Sequence, residues 1–356
     1  MSFEIKNSFG VAGVSRYLHE IENVENVEFI LRDFNASEFK ILGGGYNSIP
    51  QEFFDGSYIH ITDSSILVED HGEYIDLIAS AGAKWDDLVA LSIKCGGKGL
   101  ENLSLIPGSV GASPIHNIGA YGREVSEFIE KVHCYDLSTR SISILDRNEC
   151  EFDYRNSIFK TKDRLLITKV VYRVKKRKFK DYIKSLGAGD LLSLIKYSFA
   201  ALSFFEKGRF LKVSFDQVRD ILKLEILPPV LKRIVVIAIR KRILLDPSVV
   251  GNSGCFFKCP IIQKLDFEKI CEKYPDIEFH MHNGLYKISA CWLLRKTGWA
   301  GKEYGGVMPD AHKPVMLLNR GSATAETVRD AVSIMQKDVF YTFGICIYPE
   351  VVLVSG

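Results

Sequence analysis

Residues 101–122 read ENLSLIPGSVGASPIHNIGAYG. Glycines stand at 108, 111, 119 and 122 and prolines at 107 and 114, so the stretch is too irregular for a helix. It is also too apolar for a solvated linker. Glycine permits close backbone approach. A buried irregular segment must satisfy its own amides, and a bound ligand is one partner for them. A second glycine run, Gly43-Gly44-Gly45-Tyr46-Asn47, follows the apolar run Lys40-Ile-Leu. Consecutive N–H groups in such a loop make an anion nest suited to a pyrophosphate. The run lacks the G-x-G-x-x-G helix opening of the Rossmann dinucleotide site, and the P-loop pattern is missing too. Two irregular glycine-rich segments separated by strands can clamp one extended cofactor between them.

Outward from these loops, short apolar runs punctuated by Gly, Asp and Ser predict strands: Phe29-Ile-Leu, Lys40-Ile-Leu, 57–62, 65–68, 74–82, 131–135, 141–145 and 165–174. Residues 85–94 read as a helix, ended by Gly96-Gly97. The basic run Lys175-Lys-Arg-Lys-Phe-Lys reads as a solvated strand end rather than a phosphate patch. From 181 to 245 the chain turns helical. One helix opens at an N-cap Ser214, Pro228-Pro229 breaks it, and an amphipathic helix runs over 230–245. The last hundred residues are α+β. Their best helix spans 324–339, with Val328, Ala331, Val332, Met335 and Val339 on one face, and 343–354 reads as a closing strand pair.

The 356 residues suit two or three domains. Lys+Arg 46 against Asp+Glu 44 leaves +2, so nothing global points to nucleic acid or an anionic membrane. The opening MSFEIKNSFG has no secretory pattern, and the aliphatic stretch 234–239 is far shorter than the ~20 residues a span needs. A reducing cytosol with eight free thiols is the expectation. Cys255 and Cys259, with His280 and His282 downstream, lack the two tight ligand pairs of a structural zinc site, so no metal is expected.

The motifs LGGGYN, GLENLSLIPGSVGASPIHNIGAYG, YRNSIFK, GNSGCFFKCP and YPEV occur in this order from about residue 10 to 352. Together they resemble the UDP-N-acetylenolpyruvoylglucosamine reductases, flavoproteins that complete UDP-N-acetylmuramate for peptidoglycan. The resemblance implies an α+β protein: a two-lobed FAD-binding domain of the vanillyl-alcohol-oxidase type, then an α+β substrate domain. Lobe 1 would be 1–65 joined by a strand at 346–356, lobe 2 66–178, a helical insertion 179–245, and the substrate domain 246–345. It also implies that NADPH reduces FAD, that flavin N5 gives hydride to the enolpyruvyl β-carbon, and that the resulting enolate-like carbanion is stabilised and protonated. A cytoplasmic monomer acting on a nucleotide sugar is expected, with neither nucleic acid nor membrane as partner.

Residue by residue, the resemblance assigns FAD contacts to Gly43, Gly44, Gly45, Tyr46 and Asn47 in the first loop. In the second it assigns Pro107, Gly108, Gly111, Ala112, Ser113, Asn117, Ile118, Gly119 and Tyr121. Arg155 is a fixed cation suited to a carboxylate gaining charge. Glu350 sits among apolar strand residues, a costly place for a carboxylate unless it is paired or protonated. In the family both act on the enolate. Cys255 stands where the family usually places a proton-donating Ser, and a thiol is the more acidic donor. Tyr154, Lys241, Arg242 and Lys313 are the substrate-binding candidates. Departures fall on the nucleotide-sugar contacts: Ala188 replaces a flap Tyr, Ile243 a Lys, Cys259 an Asn and Lys313 a Gln. These leave open a paralogue reducing another enolpyruvyl or enoyl acid, or an FAD oxidase of a small alcohol.

Overall fold

Period-2 patterning yields a five-stranded antiparallel sheet in the order Ser141–Asp146, Ile129–Asp136, Leu165–Lys175, Tyr74–Ser80, Ile66–Asp70. Ile75, Leu77 and Ala79 stand opposite Val174, Tyr172 and Val170, and all six are fully buried. This computed structural model describes residues 2–32, 38–177 and 227–354. Ala188, the 189–191 triplet and the helix read from Ser214 lie outside the described residues. The chain divides into two compact units: one of residues 19–44 and 58–243, which holds this sheet, and one of residues 1–18, 45–57 and 244–356.

Among the described residues, four α-helices belong to the sheet unit. α1 is Val27–Leu31. This corrects the strand reading of Phe29-Ile-Leu: the buried residues are Val24, Val27 and Leu31, at helical spacing, while Phe29 is 73% exposed. α2 is Trp85–Lys94, as the pattern predicts, with Asp86 and Asp87 in its first turn and Lys94 in its last, each favourable to the helix dipole. The Trp85 indole donates to the Leu103 carbonyl at 2.8 Å and meets Tyr172 edge-on at 5.7 Å. α3 is the single turn Ala112–Ile115. α4, Pro229–Ile243, starts on a proline, whose missing N–H costs nothing in a first turn. Of the basic run, Lys175 closes its strand and Lys176 pairs with Asp70 at 2.6 Å, while 178–180 lie outside the described residues.

The second unit carries two three-stranded antiparallel sheets. One pairs Met316–Asn319 with Asn252–Cys255 and Val307–Pro309; the other pairs Leu285–Ile288 with Ile261–Ile262 and Phe279–His282. α5 (Lys264–Lys273), α6 (Ala290–Lys296) and α7 (Ala325–Phe343) pack with them. α7 buries the predicted face and is capped by Thr324, which exchanges bonds with Thr327. It runs on to Phe343 and stops at Gly344, whose φ of 68° is left-handed. The expected closing strand pair is therefore mostly absent. Only Val352–Leu353 is a strand, and it pairs in parallel with Ser48–Ile49. Pro349 has no N–H to extend a ladder toward the helix. Among the described residues, no helix is long and apolar enough to cross a membrane.

Candidate active site

The 101–122 segment contains a 3-10 turn at Leu100–Leu103, α3, and a two-residue strand Gly119–Ala120 paired with Arg123–Glu124. Its central amides find protein partners. Val110 and Gly111 donate to the Ala83 and Ala81 carbonyls at 2.8 and 2.9 Å, and Ser113 and Ile118 donate within the segment. Two of the glycines serve packing: a Cβ on Gly111 would lie 2.7 Å from that of Ala81, and one on Gly119 2.8 Å from Arg155 Nη1. Gly108 differs, with φ +124° and open space for 4 Å around the point where a Cβ would stand. Leu105, Asn117 and Tyr121 are left-handed without being glycine, at φ 57°, 39° and 51°. Such clustering of unfavourable backbone marks functional segments.

Polar side chains of the segment are committed inward. Ser113 Oγ bonds Tyr172 Oη at 2.7 Å. Asn117 Nδ2 donates to Glu124 and to the Asp153 carbonyl, and its Oδ1 accepts from the Ser126 amide. The first glycine loop lies against this segment: a Cβ on Gly43 would sit 3.3 Å from Ser109 Oγ and 3.7 Å from the Ala112 Cβ. Gly45 has φ +69°, and a side chain there would strike the Lys6 carbonyl. Tyr46 is exposed. Two glycine runs in contact, with Gly108 open to space, fit an extended dinucleotide such as FAD.

Arg155 belongs to the same unit. Asp153 and Asn156 exchange backbone bonds of 3.0 Å, and in the turn between them Arg155 takes φ 51°. Its guanidinium donates to the Asn117 carbonyl at 3.0 Å and the Gly119 carbonyl at 2.5 Å, with Glu124 3.6 Å away and the Tyr154 ring beneath it at 5.4 Å. This is a cation built into the glycine segment, not a surface Arg at a strand end.

Cys255 and Glu350 come together in the other unit. Cys255 ends its strand opposite Met316, after a break in register at left-handed Gly254, and it is exposed. The next residues turn to residues 348–350: Glu350 N donates to the Phe256 carbonyl at 2.7 Å and Lys258 N to that of Tyr348 at 2.9 Å. Asn47 joins them, its Nδ2 donating to the Glu350 carbonyl at 3.1 Å. Two further thiols are close enough to feel the charges here. Burial raises the Cys259 pKa; the Ala290 amide and Lys287 oppose this, while Cys255 and Glu350 add to it. Burial likewise pushes Cys291 up to about 11, against the Val315 amide and Lys313. Lys313 is therefore beside this cluster. Lys241 and Arg242 are exposed on the last turn of α4.

Sequence reasoning missed Cys291 and Lys287, which reach the cluster from α6 and from the neighbouring strand with no spacing signal. It also missed Asp86, Glu101, Lys232 and Arg233, which brace the glycine segment. Among the described residues, the one group spaced to hold a metal is Glu69, His71 and Asp76, but Arg173 already grips Asp76 through bonds of 2.9 and 2.8 Å. Cys255 and Cys259 form no such group with His280 and His282 among the described residues.

Residues 16–139 match the FAD binding domain family, and residues 246–354 match the UDP-N-acetylenolpyruvoylglucosamine reductase C-terminal domain. The UDP-N-acetylenolpyruvoylglucosamine reductase of Flavobacterium johnsoniae is 34% identical, over 98% of each chain. That of Amoebophilus asiaticus is 35% identical, over 98% of this chain and 96% of its own. The crystal structure of the Thermus caldophilus reductase shares the fold, with a TM-score of 0.63 at 18% identity over 98% of this chain and 97% of that one. With this identity over nearly the whole length, the chain belongs to the UDP-N-acetylenolpyruvoylglucosamine reductase family.

Proposed function

We propose that Arg155, Cys255 and Glu350 handle charge and proton in the reduction of the enolpyruvyl ether of UDP-N-acetylglucosamine to UDP-N-acetylmuramate. The chain is an FAD-dependent oxidoreductase of peptidoglycan synthesis that uses NADPH as reductant. FAD, when bound, supplies the hydride to the β-carbon of the enolpyruvyl group. Pro107, Gly108, Gly43 and Gly44 line its place, while Ser113 and Asn117 shape the segment from behind. Arg155 holds the substrate carboxylate as its charge grows, a strengthening interaction of the kind that lowers a barrier. Cys255 gives its thiol proton to the α-carbon and regains one from solvent, and Glu350 holds the developing enolic oxygen through a proton or a water.

The observation that carries this reading is the exposed Cys255 thiol at a strand end, with Glu350 bonded to the very next residue. Tyr154, Lys241, Arg242 and Lys313 would meet the nucleotide sugar. Residues 1–65 with 346–356, and 66–178, would be the two FAD lobes, 179–245 an insertion and 246–345 the substrate domain. The setting would be the cytoplasm and the working form a monomer.

The test is a two-step stopped-flow experiment on the purified protein. NADPH should bleach the flavin, and the UDP-enolpyruvyl sugar should restore its colour. A protein whose flavin is reduced but never reoxidised by that sugar acts on another substrate. A protein that takes up no FAD overturns the whole reading.

A further inference from the structure

Leu105 is held from both ends by side chains that trace to one helix. Its N–H donates to Asp86 Oδ1 at 2.6 Å, and its carbonyl accepts from Arg240 Nε at 3.2 Å. Asp86 is in turn gripped by Arg233, whose Nη1 and Nη2 donate to its two carboxylate oxygens at 2.7 and 2.8 Å. Arg233 and Arg240 both lie on α4. Leu105 has φ 57°, a conformation that strains a residue with a Cβ and persists only where the surroundings over-determine it.

The same arrangement recurs six residues earlier. Gly99 N donates to Glu101 Oε2, and Lys232 Nζ on α4 stands 3.8 Å from Glu101 Oε1. Glu101 is 3% exposed and Lys232 9%, so neither charge is supported by water. Gly99 too has positive φ, at 114°. Each carboxylate thus bridges a cation of α4 and a backbone amide at a residue of positive φ. Arg240 also bonds the hydroxyl of Tyr121, the left-handed residue at the far end of the segment, whose carbonyl takes Asn102 Nδ2 at 3.2 Å.

We propose that α4 is a positioning element for the cofactor. Lys232 and Arg233, acting through Glu101 and Asp86, hold the backbone at Gly99 and Leu105 in the conformation from which Pro107 and Gly108 meet FAD. Without its cation, buried Glu101 is an unpaired carboxylate and half-buried Asp86 loses its main partner; each then protonates or turns to water and releases the amide it holds. Leu105 then relaxes to negative φ, and Pro107-Gly108 moves with it. This rests on the reading that the 107–121 segment binds FAD.

The test uses the full chain with Arg233→Met, Asp86→Asn and the conservative Arg233→Lys. Amide exchange of peptides covering 99–108 reads the backbone directly, with no cofactor. FAD titration and the visible circular dichroism of bound flavin read its consequence. Both disruptive variants should exchange faster at 99–108, bind FAD at least about tenfold more weakly, and show an altered flavin dichroism. Arg233→Lys should recover part of each. A generally destabilised protein would lower its melting temperature without changing the flavin signal, and that outcome overturns the proposal. Unchanged exchange at 99–108 in Asp86→Asn overturns the bracing, and an FAD affinity equal to wild type with faster exchange overturns its role in positioning the cofactor. If the wild-type protein binds no FAD while exchange still quickens in the variants, the bracing stands and the cofactor reading falls.

Discussion

The surroundings of Gly119 and those of Cys255 treat their polar groups differently. Near Gly119, Arg155 is spent on two carbonyls, Asn117 on Glu124, Asp153 and Ser126, and Ser113 on Tyr172. Near Cys255, the thiol is exposed, and the buried Ser253 Oγ two residues earlier has no hydrogen-bond partner among the described residues. The first region is a mould, with geometry fixed by many small commitments. The second leaves a thiol and a hydroxyl uncommitted. In the proposed reaction, hydride delivery demands placement and protonation demands a labile proton, and the two places are built as those two requirements would ask.

The sharpest break of this comparison is Cys255→Ala. Flavin reduction by NADPH should persist, while reoxidation by the enol ether slows by roughly a thousandfold, the upper range for losing a general acid. Cys255→Ser should keep measurable turnover. Full turnover in Cys255→Ala would make the Ser253 hydroxyl, unpartnered among the described residues, the next donor to test.

Next in size are Arg155→Ala and Glu350→Gln, each expected to slow that half-reaction by about a hundredfold in single-turnover kinetics. FAD binding should separate them. Arg155 ties down the Asn117 and Gly119 carbonyls, so its loss should also weaken FAD binding in a titration. Glu350→Gln should leave FAD affinity unchanged. Equal loss of affinity in both would mean that the two regions are not built differently.

A packing test of the mould is Gly111→Ala. Its φ of -63° suits alanine, yet the new Cβ would be 2.7 Å from that of Ala81, so denaturant unfolding should show a loss of about 1–3 kcal/mol. Smaller still, alkylation near pH 8 followed by mass spectrometry should label Cys255 at least about tenfold faster than Cys291, because burial pushes Cys291 up to about 11 and the thiolate is the reactive form. Equal rates would mean that the Cys255 thiol is not open.

The smallest effect is on pH dependence. Burial alone would raise the Asp86 pKa, but Arg233, the Leu105 amide and the charge of Arg240 outweigh it and hold it below the ordinary carboxylate value. A carboxyl depressed in the folded state contributes fully above its unfolded value and loses that contribution as pH falls through the folded one. Wild type should therefore lose more stability than Asp86→Asn between about pH 5 and pH 3, read as urea midpoints.

Much of this was legible in the residues. α2 and the buried face of α7 follow from helical periodicity, and the sheet from alternation. The glycine segment is recognisable in part because two of its glycines, Gly111 and Gly119, are crowded by close neighbours, Ala81 and Arg155. Two kinds of feature were hidden. Phe29-Ile-Leu is apolar at adjacent positions, which suits either period; tertiary packing of Val24, Val27 and Leu31 chose the helix. The brace on Leu105 depends on α4 returning to α2 across more than a hundred residues, and no local spacing announces it. Asp86 reads equally well as an ordinary first-turn acid.

The parallel pairing of Ser48–Ile49 with Val352–Leu353 bears on how the protein is made. Residues roughly three hundred apart must meet before that ladder exists, a longer closure than any hairpin of the protein requires, though its entropic cost grows only slowly with length. Among the described residues, every strand of the five-stranded sheet lies at or before residue 175. During synthesis its strands emerge together and can pair while the other unit still awaits its last strand. Phe3–Glu4, Val14–Ile21 and Phe53–Ile61 already have strand partners in one another, so it is Ser48–Ile49 that waits until Val352–Leu353 has been made.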